Sequence, residues 1–137
     1  MKYSFGFGVP PEHADEAATL TQRLRDQGWA SHVTVGRLVQ EWAQLASEVN
    51  GCELTIDDYT NDLTARDAIE LVLSWCSDQF GGWVNPVVKE ADERFANGTA
   101  PDDEGVLARY FRIKDDAGWW WRRRPVSGEL ADYLNRP

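Results

Sequence analysis

The sequence predicts a single α+β domain over residues 1–137, with a small mixed or antiparallel sheet, several helices and a C-terminal β-hairpin. A length of 137 residues fits one hydrophobic core. Apolar residues make up 42% of the chain, which is enough for a folded domain, and none of its apolar runs is long enough for a transmembrane helix. Segments with helical spacing alternate with short segments in which every second residue is apolar.

The N-terminal third predicts two strands that flank a helix. Aromatic residues alternate with small or polar ones over residues 2–9, which is typical of a half-buried strand. A helix is predicted over residues 11–27, with Pro11 in its first position and Gly28 as its C-terminal cap. Residues 29–35 form the second predicted strand. This order is typical of a β-α-β unit or of part of an α+β sandwich.

The middle of the chain predicts two further helices. Residues 37–49 have apolar side chains at helical spacing. The alternation that follows predicts a short strand over residues 52–56. Residues 57–63 are read as a polar turn, after which Thr64 caps a helix that ends near Ser77.

Glycine and proline residues predict the remaining boundaries between helices and loops. Residues 81–82 are both glycine and predict a break, and residues 85–86 (Asn-Pro) start a helix that ends near residue 97. A polar loop is predicted over residues 99–105. Ser127 is placed as the cap of a short last helix.

The segment Trp119-Trp120-Trp121-Arg122-Arg123-Arg124 dominates the C-terminal part. We predict a hairpin of residues 106–114 with residues 119–124, in which cations face aromatic rings across the strands. These cross-strand pairs are Lys114 with Trp119, Arg112 with Trp121, and Arg123 with Tyr110. The pairs could simply cover an aromatic strand. Alternatively, Arg112, Trp119, Trp121 and Arg123 form a binding face for a protein or an anion, because Trp and Arg often anchor interfaces.

A second candidate surface is acidic. The segment Asp57-Asp58-Tyr59-Thr60-Asn61-Asp62 superficially resembles a calcium loop, but Leu63 and Ile69 replace the required glycine and glutamate. The plainer interpretation is a turn whose side chains bond local amides. The functional interpretation is an acidic patch for a basic partner. Its members are Asp57, Asp58, Asp62 and Asp67.

The net charge indicates which class of partner is favoured. The formal net charge is −9, and residues 1–100 carry all of the excess, because residues 101–137 hold seven acidic and seven basic side chains. An acidic field repels nucleic acid, so nucleic-acid binding is disfavoured and a basic protein partner is favoured. Acidity that serves only solubility is the plainer alternative.

Motifs for catalysis, metals and cofactors do not occur in the sequence. His13 and His32 are isolated, and no nucleophile elbow, phosphate loop or dinucleotide fingerprint is found. We therefore predict no catalytic residue, no metal site and no cofactor. Cys52 and Cys76 lie far apart without an export signal, which favours reduced thiols and a cytoplasmic location.

Two motifs resemble an uncharacterised family of small bacterial proteins. They are the Asp58–Leu63 segment with Arg66-Asp67, and Tyr110-Phe111-Arg112 with the Trp119–Pro125 segment. The similarity covers roughly residues 37–134 and implies no activity. The short, acidic, motif-poor profile is also similar in type to the immunity proteins of bacterial toxin systems, although fold-level analogy does not assign function.

Three functional hypotheses follow. The leading one is a non-enzymatic acidic binding protein that neutralises or regulates a basic protein such as a nuclease toxin. The second is a small-ligand or peptide-binding module that uses the tryptophan–arginine hairpin face. The third is a hydrolase with a spatially assembled site, which would need a buried histidine or carboxylate pair with perturbed pKa values. The sequence leaves the oligomeric state and the identity of the partner open.

Overall fold

The structure is a computed structural model that describes residues 9–49 and 55–135. Its elements, in chain order, are a 3₁₀ turn (Pro11–His13), α1 (Ala14–Asp26), α2 (Val35–Glu48), α3 (Ile56–Trp75), α4 (Asp78–Asn97), β1 (Thr99–Pro101), two 3₁₀ turns (Leu107–Arg109 and Trp119–Arg122), β2 (Arg123–Pro125) and α5 (Gly128–Leu134). Helices α2, α3 and α4 pack on one another and form the body of the fold.

The first predicted helix is confirmed, but the strand predicted after it is wrong. Gly28 follows α1 with a φ of 103°, the left-handed conformation expected of a C-terminal glycine. Residues 29–34 then form a turn and loop. Thr34 accepts a hydrogen bond from the Arg37 amide at 3.1 Å and starts α2 two residues earlier than predicted. The first predicted strand lies outside the described residues except at Val9, which is not in a strand.

Helix α3 begins eight residues before the predicted N-cap. Thr55 accepts a hydrogen bond from the Asp58 amide, so residues 57–63 form helical turns and the predicted polar turn is wrong. Thr64 lies inside the helix and donates to the Thr60 carbonyl at 3.0 Å. Tyr59 and Leu63 are fully buried at helical spacing, and their burial outweighs the turn-like composition. Residues 52–54 of the predicted third strand lie outside the described residues, and Ile56 is helical.

Helix α4 runs through the predicted break. Ser77 accepts a hydrogen bond from the Phe80 amide, and the helix continues over both glycines and over Pro86 to Asn97. Its buried side chains keep one helical stripe on both sides of the glycine pair, which explains why the cost of about 1 kcal/mol per glycine is tolerated. That stripe consists of Phe80, Val84, Val88, Ala91 and Phe95.

The α+β class with a small antiparallel sheet is confirmed, but the strand positions predicted for the hairpin are wrong. Strands β1 and β2 pair antiparallel, with Ala100 opposite Arg124. Strand β1 lies inside the predicted polar loop. Residues 107–109 and 119–122 form 3₁₀ turns, so the predicted cross-strand pairs of cations and aromatic rings do not form. The predicted last helix is confirmed as α5.

One hydrophobic core joins these elements. Trp42, Tyr59, Phe80 and Phe95 are its largest fully buried side chains. The Tyr59 hydroxyl donates to the Arg123 carbonyl at 2.9 Å and ties α3 to β2. In the described ranges no helix combines the length and the apolarity that crossing a bilayer requires.

Candidate functional site

The two conspicuous sequence motifs form a single structural unit. Asp67 accepts hydrogen bonds from the indole nitrogens of Trp120 at 2.8 Å and of Trp121 at 2.9 Å. Its neighbour Arg66 places its guanidinium carbon 4.3 Å from the centroid of the Trp120 ring. Trp120 and Trp121 are each only 4% exposed. The Arg66-Asp67 dipeptide of α3 therefore holds the tryptophan segment against the helix.

This contact explains why the tryptophan segment is not a strand. Successive side chains of a strand point to opposite faces, so one carboxylate could not bind two consecutive indoles. The 3₁₀ turn, in which the Trp121 amide donates to the Gly118 carbonyl at 3.0 Å, brings both indoles to one side. Gly118 is required here, because a Cβ at that position would overlap the ring of Trp120.

Arg66 is also the centre of a buried polar network. Its side chain donates to both carboxylate oxygens of Asp92 at 2.9 Å and to Glu70 at 2.8 Å, while Trp42 donates to Asp92 at 2.8 Å. Burial alone would lower the pKa of Arg66, but the hydrogen bonds and charges of Asp92 and Glu70 raise it above its ordinary value. The guanidinium therefore stays charged and holds α3 against α4.

The arginines after the tryptophans also contact their own fold. Arg123 donates to the Thr99 hydroxyl at 2.8 Å and to the carbonyls of Ala96 and Thr99 at 3.1 and 3.0 Å, so it satisfies an acceptor at the C-terminal end of α4 and one in β1. Arg122 donates to backbone carbonyls, and Arg124 donates to the side chain of Asn135. This arginine run therefore stabilises local structure.

An open acidic cleft of about 520 Å³ lies between α2 and α3. We define the acidic cleft by its four carboxylates, two from each helix: Glu41 and Glu48 of α2, and Asp58 and Asp62 of α3. Glu41 pairs with Arg37 at 3.3 Å on the exposed surface of α2. Among the described residues, no cation forms an ion pair with Asp58, Asp62 or Glu48.

Asp62 of the acidic cleft has a strongly raised pKa. Burial, together with the negative charges of Glu41, Asp58 and Glu48, raises the pKa of Asp62 from its ordinary value of 3.8 to about 7. No hydrogen bond to its carboxylate is found within the described part of the chain. The fold thus holds a half-buried carboxylate at a place where ionisation is costly and where a cation would be favourable.

A larger open groove of about 840 Å³ lies beside the tryptophan segment. We call it the tryptophan groove and define its apolar surface by Leu71, Phe111, Ile113, Trp119, Trp120 and Trp121. Phe111 stacks on Trp121 with ring centroids 4.7 Å apart, and Trp119 meets Trp120 edge to face at 5.7 Å. Phe111 is 39% exposed and Trp119 is 41% exposed, so both present aromatic surface to solvent.

The residues predicted from the sequence fall into different environments. Asp58 and Asp62 lie in the acidic cleft, while Asp57 is exposed outside it. Trp119 and Arg112 line the tryptophan groove. Asp67, Trp121 and Arg123 make the internal contacts described above. The prediction that Trp119 and Trp121 share one face of a hairpin with Arg112 and Arg123 is therefore corrected.

The sequence interpretation missed several lining residues. Glu41, Gln44 and Glu48 share one face of α2 at positions i, i+3 and i+7, a spacing that was visible in the sequence. Asp58 and Asp62 share a face of α3 only once residues 57–63 are recognised as helical. Trp29, which lines both cavities, lies in the loop that was predicted as a strand.

No protein family, curated protein or solved structure matches the chain. Within residues 9–49 and 55–135, no three His, Cys, Asp or Glu side chains are grouped so that they could hold a metal ion. Cys76 is a free thiol. The acidic cleft and the tryptophan groove are the two candidate functional sites.

Proposed function

We propose that this protein is a non-enzymatic binding protein whose acidic cleft neutralises or regulates a basic protein partner, as the immunity protein of a nuclease toxin would. One observation carries the proposal. Asp62 is half-buried among Glu41, Glu48 and Asp58, and none of the described residues supplies a cation that forms an ion pair with it. A carboxylate whose burial lowers the stability of the fold is expected at a site where a bound ligand offsets its charge.

A lysine or arginine side chain of the partner would supply that compensation. The cation would approach four carboxylates and allow Asp62 to ionise. The net charge of −9 adds long-range attraction, which speeds association with a basic protein. The proposal places this complex in the cytoplasm, the compartment that the sequence predicts. It excludes Asp67, Trp121 and Arg123 from the contact surface, because their polar groups bind within the fold.

Capture with a charge-reversed control tests this proposal. The tagged chain and the double variant Asp58→Lys/Asp62→Lys would be used to capture proteins from the source cell at low and moderate salt. Glu93→Lys/Asp132→Lys is the matched control, because it changes the net charge equally at exposed sites outside the cleft. We expect one basic protein at near-stoichiometric amounts, at least a hundredfold weaker binding by the cleft variant, and little change for the control. Equal retention by both variants, or no basic protein at either salt, would contradict the proposal.

The raised pKa of Asp62 predicts a pH-dependent stability. Its folded pKa of about 7 lies above the ordinary value of 3.8, so the protonated carboxyl favours folding. This contribution is fully present below about pH 4 and is lost as the pH rises through 7. Asp62→Asn should therefore raise the free energy of unfolding by about 1–2 kcal/mol at pH 8, after allowance for solvent screening of a part-exposed group, and by almost nothing at pH 4.

Urea unfolding at pH 4 and pH 8 measures this difference. Asp132→Asn is the control, because it removes one exposed carboxylate outside the cleft. Among the described residues, the titratable groups that line the cleft with Asp62 are Glu41 and Glu48 from α2, Asp58 from its own helix and His32 from the loop before α2. If Asp62→Asn changed the free energy of unfolding equally at both pH values, the cleft would not raise the pKa of Asp62.

The tryptophan groove supports a second candidate function. A volume of about 840 Å³ lined by exposed aromatic rings is large enough for a small ligand or for peptide side chains. Arg112 and Lys114 line the groove and could bind an anionic group on such a ligand. A ligand held by the groove alone would bind independently of Asp62, which separates this function from the first.

A further inference from the structure

Part of the tryptophan groove is formed by a chain segment outside the helices and strands, which we call the strap and define as residues 112–118. All of the strap except Asp115 lines the groove. Much of the remaining lining comes from α3, through Asp67, Glu70 and Leu71, and from the tryptophans that follow the strap. The position of the strap therefore determines the shape of the groove.

The chain is anchored on both sides of the strap. Before the strap, the Asp102 carboxylate accepts a hydrogen bond from the Leu107 amide at 3.0 Å, and the Leu107 side chain is fully buried. After the strap, the indoles of Trp120 and Trp121 donate to Asp67 of α3. Any local motion is therefore confined to the part of the chain between these two anchors.

The strap itself makes few contacts. None of its residues is buried, and the amides of residues 112–116 donate to no backbone carbonyl in the described part of the chain. Inside the strap, the Ala117 amide donates to the Lys114 carbonyl at 3.1 Å. Ile113 and Ala117 are half-buried and provide its apolar contact with the core. A segment with exposed backbone and little buried apolar surface opens locally at a much lower free-energy cost than the whole fold.

Arg122 makes the polar contact that holds the strap in place. Its guanidinium donates to the carbonyls of Lys114 at 3.3 Å and Asp115 at 3.1 Å, in the middle of the strap. The Arg122 carbonyl accepts from the Asp102 amide at 2.8 Å, so the backbone of this arginine belongs to the anchored part of the chain. Lys114 adds an attraction to α3, because its positive charge opposes the rise in the pKa of Asp67. The two hydrogen bonds from Arg122 are exposed to solvent, so water can replace them at a small cost.

We propose that the strap is a hinged cover of the tryptophan groove. When the Arg122 guanidinium releases the two carbonyls, the strap moves away from α3 as a unit and widens the groove, while both anchors stay in place. Access of a ligand to the groove then depends on how often the strap opens. This inference goes beyond the proposed function and does not depend on it, because the acidic cleft takes no part in the motion.

Nuclear magnetic resonance of the whole chain tests this motion. Relaxation-dispersion and saturation-transfer experiments on the backbone amides detect a minor conformation that exchanges on the microsecond-to-millisecond timescale. We expect the amides of residues 112–118 to share one exchange rate, and the amides of residues 67–71 in α3 to show no exchange. In the minor conformation, the side-chain chemical shifts of Ile113 should move towards their unfolded values, because this side chain leaves the core.

Two variants identify the contacts that keep the strap closed. Arg122→Ala should raise the population of the minor conformation about fivefold, because it removes both hydrogen bonds to the strap. Ile113→Ala should also raise it, because it reduces the apolar contact with the core. Arg94→Ala is the matched control, since Arg94 is an exposed arginine of α4 that does not line the groove, and it should leave the population unchanged.

Three results would overturn the inference. The first is an absence of exchange in residues 112–118 together with backbone order equal to that of α3. The second is low backbone order on the picosecond-to-nanosecond timescale, which would mean that the strap has no distinct closed position. The third is an unchanged minor population in Arg122→Ala, which would show that this arginine does not hold the strap.

Discussion

Arg66→Leu is expected to lower the free energy of unfolding by about 3–5 kcal/mol, since it breaks a buried ion pair and leaves one partner uncompensated. Arg66 is 4% exposed and makes two 2.9 Å hydrogen bonds to Asp92. Leucine would remove these bonds and the contact with the Trp120 ring. Domains of this size are stable by about 5–15 kcal/mol, so the variant would lose a large part of its stability.

Urea unfolding followed by far-ultraviolet circular dichroism measures this loss, and two variants test its cause. Glu70→Gln removes the negative charge of the outer partner of Arg66, and because the Glu70 side chain is 60% exposed this should cost less than about 1 kcal/mol. Arg66→Leu/Asp92→Asn keeps an oxygen that accepts the hydrogen bond from Trp42 and removes the uncompensated charge. This double variant should be more stable than Arg66→Leu alone. A loss below about 1 kcal/mol for Arg66→Leu would contradict the buried network.

Asp67→Ala is expected to cost about 2–4 kcal/mol, because it leaves two buried indole nitrogens without their acceptor. Trp120 and Trp121 would then lose their hydrogen bonds to α3, and the part of the tryptophan groove that their rings line would become less ordered. The burial that holds these bonds also raises the pKa of Asp67 above its ordinary value, while the hydrogen bonds from Trp121 and Trp120 oppose the shift. Because Asp67→Ala also removes the cost of burying this carboxylate, the expected loss of stability is smaller than the sum for two broken hydrogen bonds.

Asp67→Asn is the matched variant. It retains one side-chain oxygen, and that oxygen already accepts from both indoles at 2.8 and 2.9 Å. We therefore expect a loss of less than about 1 kcal/mol in urea unfolding. Near-ultraviolet circular dichroism should change strongly for Asp67→Ala and little for Asp67→Asn. Similar spectra and similar stabilities for the two variants would show that the acceptor is not what holds the tryptophans.

The sequence located the helices better than the strands. The body of α2 and the end of α4 follow from apolar spacing and from a terminal glycine, which are local signals. The starts of α3 and α4 were misplaced because Thr55 and Ser77 act as N-caps, while polar residues and glycines nearby suggested turns. In both helices, side chains buried by tertiary packing decide that the helix continues.

The candidate site likewise contains some residues that the sequence identified and others that only tertiary packing adds. Asp58 and Asp62 were identified as candidate residues from composition, but Glu41 and Glu48 become part of the acidic cleft only when α2 packs beside α3. Trp119 was also identified from the sequence. Its groove depends on Phe111 and Ile113, which reach it through a chain path that no local pattern predicts.

By itself, the sequence determined the α+β class, the acidic charge and the importance of the tryptophan segment, because composition and helical spacing are local properties of the chain. Tertiary structure alone decided which members of that segment are internal. Trp120 and Trp121 are buried because Asp67 accepts both indoles and Arg66 lies over one ring, while Trp119 remains partly exposed. Fifty or more residues separate these partners in the chain, so only the packing of the 119–122 turn on α3 brings them together.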